Sequence, residues 1–190
     1  MPLLLLKDIP KYECLLEASL EVPELDPSAT EVFLNLLRAG DQAFRLVDVH
    51  LVDHGISQGR FGVLMALWAN RRSSASLRPA EIAARTGVTR ATVSGLVDTL
   101  ERAGLVARLP DQADRRMLSV CLTPKGRQRL RQVLPEHFRR MAWLMQPLSE
   151  RDRRTFVRLF SKVLARAATL RPSKLRRPRT RAATGRAFTG

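Results

Sequence analysis

The stretch from Pro79 to Leu122 leaves few folds open, because its hydrophobic period switches from that of a helix to that of a strand at Gly104. A short helical segment, Pro79–Arg85, runs into Thr86-Gly87, where glycine can take the left-handed conformation that ends a helix. Thr89 then opens a second helix, whose Val93, Leu96, Val97 and Leu100 recur at helical spacing. Beyond Gly104, Leu105–Leu109 and Met117–Leu122 read as strands joined by the charged loop Pro110–Arg116. Helix, tight turn, helix, strand, loop, strand is the pattern of a winged helix-turn-helix, mainly α with a small β-hairpin wing.

The second helix of that pair has two distinct faces. With Val93, Leu96, Val97 and Leu100 turned inward, Ala91, Ser94 and Gly95 point outward, flanked by Arg90 and Thr92. Small outward residues let a helix axis approach base edges in a major groove, and hydroxyls with an arginine near its start supply donors for bases and phosphates. The competing reading is an ordinary surface helix capped by Thr89; the charged hairpin that follows at once argues against it. At the hairpin tip, an arginine held on a two-stranded arm can enter the narrow minor groove, where negative potential is concentrated. Asp114 is placed to brace Arg116 there. Taken alone, the tip would be a solvated loop with an ion pair of little value.

The flanks are helical. Asp26-Pro27 starts a long helix whose Phe33, Leu36, Leu37, Phe44, Val47 and Leu51 form one apolar stripe as far as Asp53. Ser57 caps a helix that carries Phe61, Leu64, Met65 and Trp68, and residues 71–76 read as a polar loop. Thr123-Pro124 opens a helix expected to kink at Pro135, and Ser149 with Asp152 forms a capping box for a last helix. Residues 1–27 read as an extension with a short helix near Tyr12–Leu20. Residues 171–190 read as a disordered basic tail.

Charge follows the same map. The net charge is +15, yet residues 1–70 carry five Lys/Arg and ten Asp/Glu, whereas residues 71–131 carry thirteen and five. The last twenty residues add seven bases and no acid. A positive field that begins at the helix-turn-helix marks a localised nucleic-acid footprint. Charge alone would also allow a sequence-indifferent architectural DNA binder, and the ratio of specific to nonspecific affinity separates the two. A protein-interaction adaptor on the same fold would bind no DNA. No phosphate loop, metal quartet or nucleophile with its base is recognisable, so an enzyme is not expected, nor a cofactor. Two distant cysteines, Cys14 and Cys121, fit a reducing cytoplasm, and the run Leu3–Leu6 is too short for a membrane span or a signal peptide.

Residues 79–126 carry AEIA, TVS-x-LVD-x-LE, AGLV, DRR and LTPKG in that order and at the right separations. In this they resemble the core of the multiple-antibiotic-resistance (MarR-type) regulators, and with the flanking helices the resemblance extends over about residues 28–168. The resemblance implies a homodimeric transcriptional regulator whose first and last helices interlock, more often a repressor, on a near-palindromic double-stranded DNA site. Residues 28–70 and 123–168 would form the dimerisation region and 71–122 the DNA-binding lobe. By position, Thr89, Arg90, Thr92 and Ser94 fall on the major-groove helix, and Asp114, Arg115 and Arg116 on the wing. Arg78 departs from the pattern, standing where the family has a Ser or Thr cap.

The same resemblance implies a small anionic or aromatic effector held between the two regions. His50, His54, Arg60, Phe61, Met65 and Trp68 are the candidates for that pocket. His50 and His54, four apart, share a helix face and could ligate a metal. They read more simply as polar residues at a helix C-terminus, so no metal is expected. Cys14 offers a redox alternative, but Glu13 and Glu17 beside it oppose the lowered pKa that a reactive thiol needs.

Overall fold

The computed structural model describes residues 8–72, 76–111 and 117–169. The expected wing tip with Asp114, Arg115 and Arg116, and the basic tail 171–190, lie outside the described residues. The chain separates into two compact units, residues 1–144 and 145–190.

In the first unit, α1 (Tyr12–Glu21) precedes the long α2 (Pro27–Asp53). Asp26 caps α2 by accepting the Ala29 N–H at 3.0 Å, and Ser28 Oγ donates to the same carboxylate at 2.8 Å. The backbone bond first, then the hydroxyl, holds the Asp26 carboxyl below the usual carboxylate range. Pro27 fills the first helical position, where a missing N–H costs nothing. Next come α3 (Gln58–Ala69), β1 (Ser76–Leu77), α4 (Pro79–Thr86) and α5 (Arg90–Arg102). The strands β2 (Val106–Pro110) and β3 (Leu118–Leu122) lead into α6 (Pro124–Leu144).

Strand β1 is the one element that the sequence pattern hides. Ser76, the end of the expected polar loop, pairs with Cys121, and Leu77 pairs with Val120, which places β1 antiparallel on the edge of the sheet in the order β1-β3-β2. The β2–β3 register runs from Val106 opposite Leu122 to Pro110 opposite Leu118, and the Asp111 N–H donates to the Met117 carbonyl at 2.9 Å. Pro135 lies inside α6, which continues through it as one helix.

The core is where these elements meet. Leu51 of α2, Leu64 of α3, Ile82 of α4, Val97 and Leu100 of α5, Val120 of β3 and Leu130 of α6 are all at most 1% exposed. Each such side chain contributes about 1.5–3 kcal/mol relative to an exposed position. Two junctions hold α5 in place. At the first, Gly87 ends α4 at φ +71, a conformation costly for any residue with a Cβ, and its N–H donates to the Ala83 carbonyl. At the second, Thr123 donates its backbone N–H to the Leu105 carbonyl and its hydroxyl to the Gly104 carbonyl at 2.7 Å. Gly126 packs so closely on Leu105 that a Cβ there would stand 2.0 Å from the Leu105 carbonyl oxygen. The LTPKG motif is therefore the joint that fixes α6 to the Gly104-Leu105 turn after α5.

In the second unit, α7 (Glu150–Ala168) starts from the expected capping box. Ser149 Oγ accepts from the Asp152 N–H at 3.2 Å, and the Asp152 carboxylate accepts from the Ser149 N–H at 3.1 Å. No residue of α7 is buried.

Candidate nucleic-acid interface

Helix α5 is held by its apolar side. Val93, Val97 and Leu100 are buried, and Leu96 lies against Gly59 of α3, where a Cβ would come within 3.1 Å of the leucine. With that face fixed, Thr89, Arg90, Ala91, Thr92, Ser94 and Gly95 are all exposed. Thr89 caps the helix by accepting the Thr92 N–H at 3.1 Å, and the two hydroxyls lie 2.9 Å apart. The Ser94 hydroxyl donates to the Arg90 carbonyl at 3.1 Å, which leaves its oxygen lone pairs facing outward. Among the described residues Arg90 has no ion-pair partner.

Gly95 is the most telling of these positions. A glycine in mid-helix costs about 1 kcal/mol relative to alanine, which normally reflects a tight packing contact. Here a Cβ would meet nothing within 4 Å. No packing contact among the described residues requires the glycine.

The helix start that lacks a Ser or Thr cap is compensated. The Arg78 backbone N–H donates to the Glu81 carboxylate at 2.7 Å, and the Arg78 guanidinium stands 3.6 Å from the same group. The acids on α5 are also neutralised: Arg108 of β2 forms ion pairs with both Asp98 and Glu101. The hydrogen bond that Arg108 donates to Asp98, and then the one to Glu101, outweigh partial burial and raise the Arg108 pKa. This clamp ties β2 to α5 and pairs both carboxylates of that helix.

Of the pocket candidates, the structure brings His54 and Arg60 to one cavity of about 410 Å³, which is also lined by Ile56, Leu100, Lys125 and Arg129. The cations there hold helix ends: Arg60 donates to the Gly55 carbonyl at 2.9 Å, Lys125 to the Ala103 carbonyl at 2.9 Å, and Arg129 to the His54 carbonyl at 2.5 Å. His50 and Phe61 are buried, and Met65 and Trp68 pack against the core, with Arg71 over the Trp68 ring at 3.8 Å. Lys125, Gln128, Arg129 and Gln132, which sequence spacing did not select, come from α6. His137, the third histidine and part of no recognisable sequence motif, lies close to two of the pocket candidates. Its ring lies 4.6 Å from that of Phe61 and 6.5 Å from that of His50, and its buried Nδ1 has no hydrogen-bond partner among the described residues. Burial first, then the neighbouring His50, lowers the His137 pKa. His50 Nε2 is 3.2 Å from the Val133 carbonyl, and His54 Nδ1 is 3.0 Å from the His50 carbonyl. Cys14 is exposed and Cys121 half-buried, both as free thiols.

Residues 54–117 match the family model described as MarR family. The HTH-type transcriptional repressor YetL of Bacillus subtilis is 32% identical over 166 residues, spanning 87% of this chain and 98% of that protein. The chain belongs to the MarR family. Its fold agrees with solved MarR-family structures. BpsR of Bordetella bronchiseptica, whose DNA binding is regulated by 6-hydroxynicotinic acid, superposes with a TM-score of 0.59 at 27% identity over 70% of this chain and 98% of BpsR. The MarR family regulator Sco3205 of Streptomyces coelicolor, solved in complex with DNA, gives 0.63 at 25% identity over 76% and 92%. This MarR-family chain is thus a winged-helix protein of a transcriptional-regulator family. No described helix is long and apolar enough to cross a membrane.

Proposed function

We propose that this chain is a homodimeric repressor that reads a pseudo-palindromic operator in double-stranded DNA. Thr89, Arg90, Thr92 and Ser94 enter the major groove. Arg115 and Arg116 of the wing reach the flanking phosphates and minor groove, with Asp114 orienting Arg116. The observation that carries this reading is the open face of α5, with a glycine that no internal contact requires. Residues 28–70 and 123–168 form the dimerisation region, a reading supported by the exposed Val32, Phe33, Phe44, Val49 and Val52 along α2. An effector in the cavity beside Arg60 and Arg129 would be small and anionic or aromatic, because cations and the apolar Ile56 and Leu100 line it together. Its contact with α5, α6 and the α2–α3 corner would bias the position of the DNA-binding helix.

The test is genomic footprinting with the purified protein, followed by gel-shift titration on the recovered site and on random DNA at one salt concentration. Specific repressors bind their sites about 10³–10⁷ times more tightly than random sequence. A ratio near unity would instead support the architectural reading, which the +15 charge favours. Release of the bound site by aromatic carboxylates, lost in Arg60→Ala, would identify the cavity as the effector site.

A further inference from the structure

The cavity beside the α2–α3 corner is built where helix ends meet: α2 and α5 end at it, and α3 and α6 begin there. Two of its three cations stand at the wrong end of their own helix. Arg60 lies in the first turn of α3 and Lys125 in the first turn of α6, where the partial positive charge of a helix N-terminus disfavours a cation. Neither first turn holds an acid. Arg129, four residues beyond Lys125, shares a face of α6 with it. No Asp or Glu is among the described lining residues, and among the described residues none of the three cations forms an ion pair. A cavity of about 410 Å³ with three positive charges and two acid-free helix starts is a place suited to an anion.

The same cations cap the two helices that end there. Arg60 and Arg129 donate to the Gly55 and His54 carbonyls at the end of α2, and Lys125 Nζ donates at 2.9 Å to the carbonyl of Ala103, the C-cap of α5. They are not equivalent donors. A guanidinium carries five N–H groups in a fixed fork, so it can keep a carbonyl while taking a second acceptor. Lys125 is a point charge on a flexible stem. It is exposed, and its Cδ lies 3.7 Å from where a Cβ on Gly104 would stand, so the stem runs over the turn that follows α5. The end of a helix offers this ammonium about half an elementary charge, whereas a carboxylate offers a whole one.

We propose that a small carboxylate bound in this cavity draws Lys125 off the Ala103 carbonyl and so uncaps the DNA-binding helix. The inference rests on the effector reading above and adds how the ligand's charge reaches α5. Arg60 and Arg129 anchor the carboxylate and keep their carbonyls, while Ile56, Leu100 and Leu105 receive the apolar body of the acid. Lys125 follows the charge. The end of α5 then loses its cation, and the Gly104-Leu105 turn opens more often; its two N–H groups donate to the Glu101 and Leu100 carbonyls at 2.8 and 2.9 Å. Lys125 of the LTPKG motif is thereby the coupling residue, and the anion works against DNA binding by loosening the helix that meets the groove.

The test is amide hydrogen exchange of the full chain followed by NMR, with sodium benzoate as the probe and calorimetry to measure its binding. At saturation the wild-type Gly104 and Leu105 amides should exchange about 3- to 10-fold faster, the worth of one carbonyl hydrogen bond. Lys125→Met should exchange at that faster rate without benzoate; benzoate should still bind it and change nothing further. Benzamide, the neutral amide of the same shape, should leave exchange as it is at the same concentration. Benzoate that binds the wild type without altering exchange at Gly104 and Leu105 overturns the inference and leaves the effector reading standing. The same holds for Lys125→Met that exchanges like the wild type, and for a benzamide effect equal to that of benzoate. Benzoate that does not bind the wild type, or that binds Arg60→Ala equally well, removes the effector reading and this one together.

Discussion

Helices α5 and α7 are both amphipathic, and they are used in opposite ways. The apolar residues Val93, Val97 and Leu100 of α5 are consumed by the chain's own core, so what α5 offers outward is its polar side. In α7 no residue is buried, so its apolar side is open as well as its polar one. A helical period in the sequence shows that a helix has two faces. It does not show which face the fold leaves open, and that is what decides whether a helix meets DNA or another protein chain.

The largest effect that would break this contrast comes from shortening one apolar side chain in each helix. Leu100→Ala should cost about 2–5 kcal/mol in urea unfolding, because a fully buried leucine leaves a cavity. Leu159→Ala, at a side chain 49% exposed, should barely change the stability of the dilute chain and should weaken self-association. Equal losses in both variants would mean that α7 is part of the chain's own core.

Truncating Arg90 probes the polar side of α5. Arg90→Ala should weaken operator binding by about 1–3 kcal/mol in gel-shift titration and relax preference at one base pair if the guanidinium reads a base. A uniform loss on operator and random DNA would assign it to a phosphate instead. Unfolding should be unchanged, since Arg90 is exposed and has no ion-pair partner among the described residues.

A smaller effect comes from the buried histidine behind these surfaces. His137 is depressed below the usual histidine value of 6.5, so the unfolded chain takes up its proton more readily than the folded one. Its contribution to stability is present above pH 6.5 and falls as the pH drops toward its lowered folded value. The slope from one proton cannot exceed about 1.4 kcal/mol per pH unit. His137→Phe should flatten that part of the stability-pH curve in urea titrations between pH 7 and about 5. An unchanged slope would show that other groups set it.

Much of the fold was legible because local chemistry and global packing agreed. Asp26-Pro27, Ser57, Thr86-Gly87, Thr89, Thr123-Pro124 and Ser149 each set a helix boundary, and each sits at one in the structure. The outward face of α5 followed from period alone. Strand β1 was hidden because two residues carry no period, and its pairing with Cys121 and Val120 is long-range. The cavity was half legible for the same reason. His54 and Arg60 lie near each other in sequence, whereas Lys125, Arg129 and His137 reach the region only when α6 folds back along α2 and α3. Sequence spacing therefore favoured Met65 and Trp68, neighbours along one helix, over partners more than sixty residues away.

The smallest expected effect is also the sharpest, because it should change sign between two measurements. At Gly95 the fold has room for a methyl group, with nothing within 4 Å of an added Cβ. Gly95→Ala removes backbone freedom from the unfolded chain and should stabilise the protein by about 0.5–1 kcal/mol, raising its unfolding midpoint. The same methyl would stand on the side on which α5 is exposed. If the helix axis lies close to base edges, the methyl keeps it away and operator affinity falls even as stability rises. Such a variant separates the two demands on one residue, since a merely structural position moves both quantities in the same direction. Gly95→Ala that gains stability and binds the operator as tightly as wild type would show that α5 approaches DNA along another line, and the groove contacts assigned to Thr92 and Ser94 would have to be given up with it.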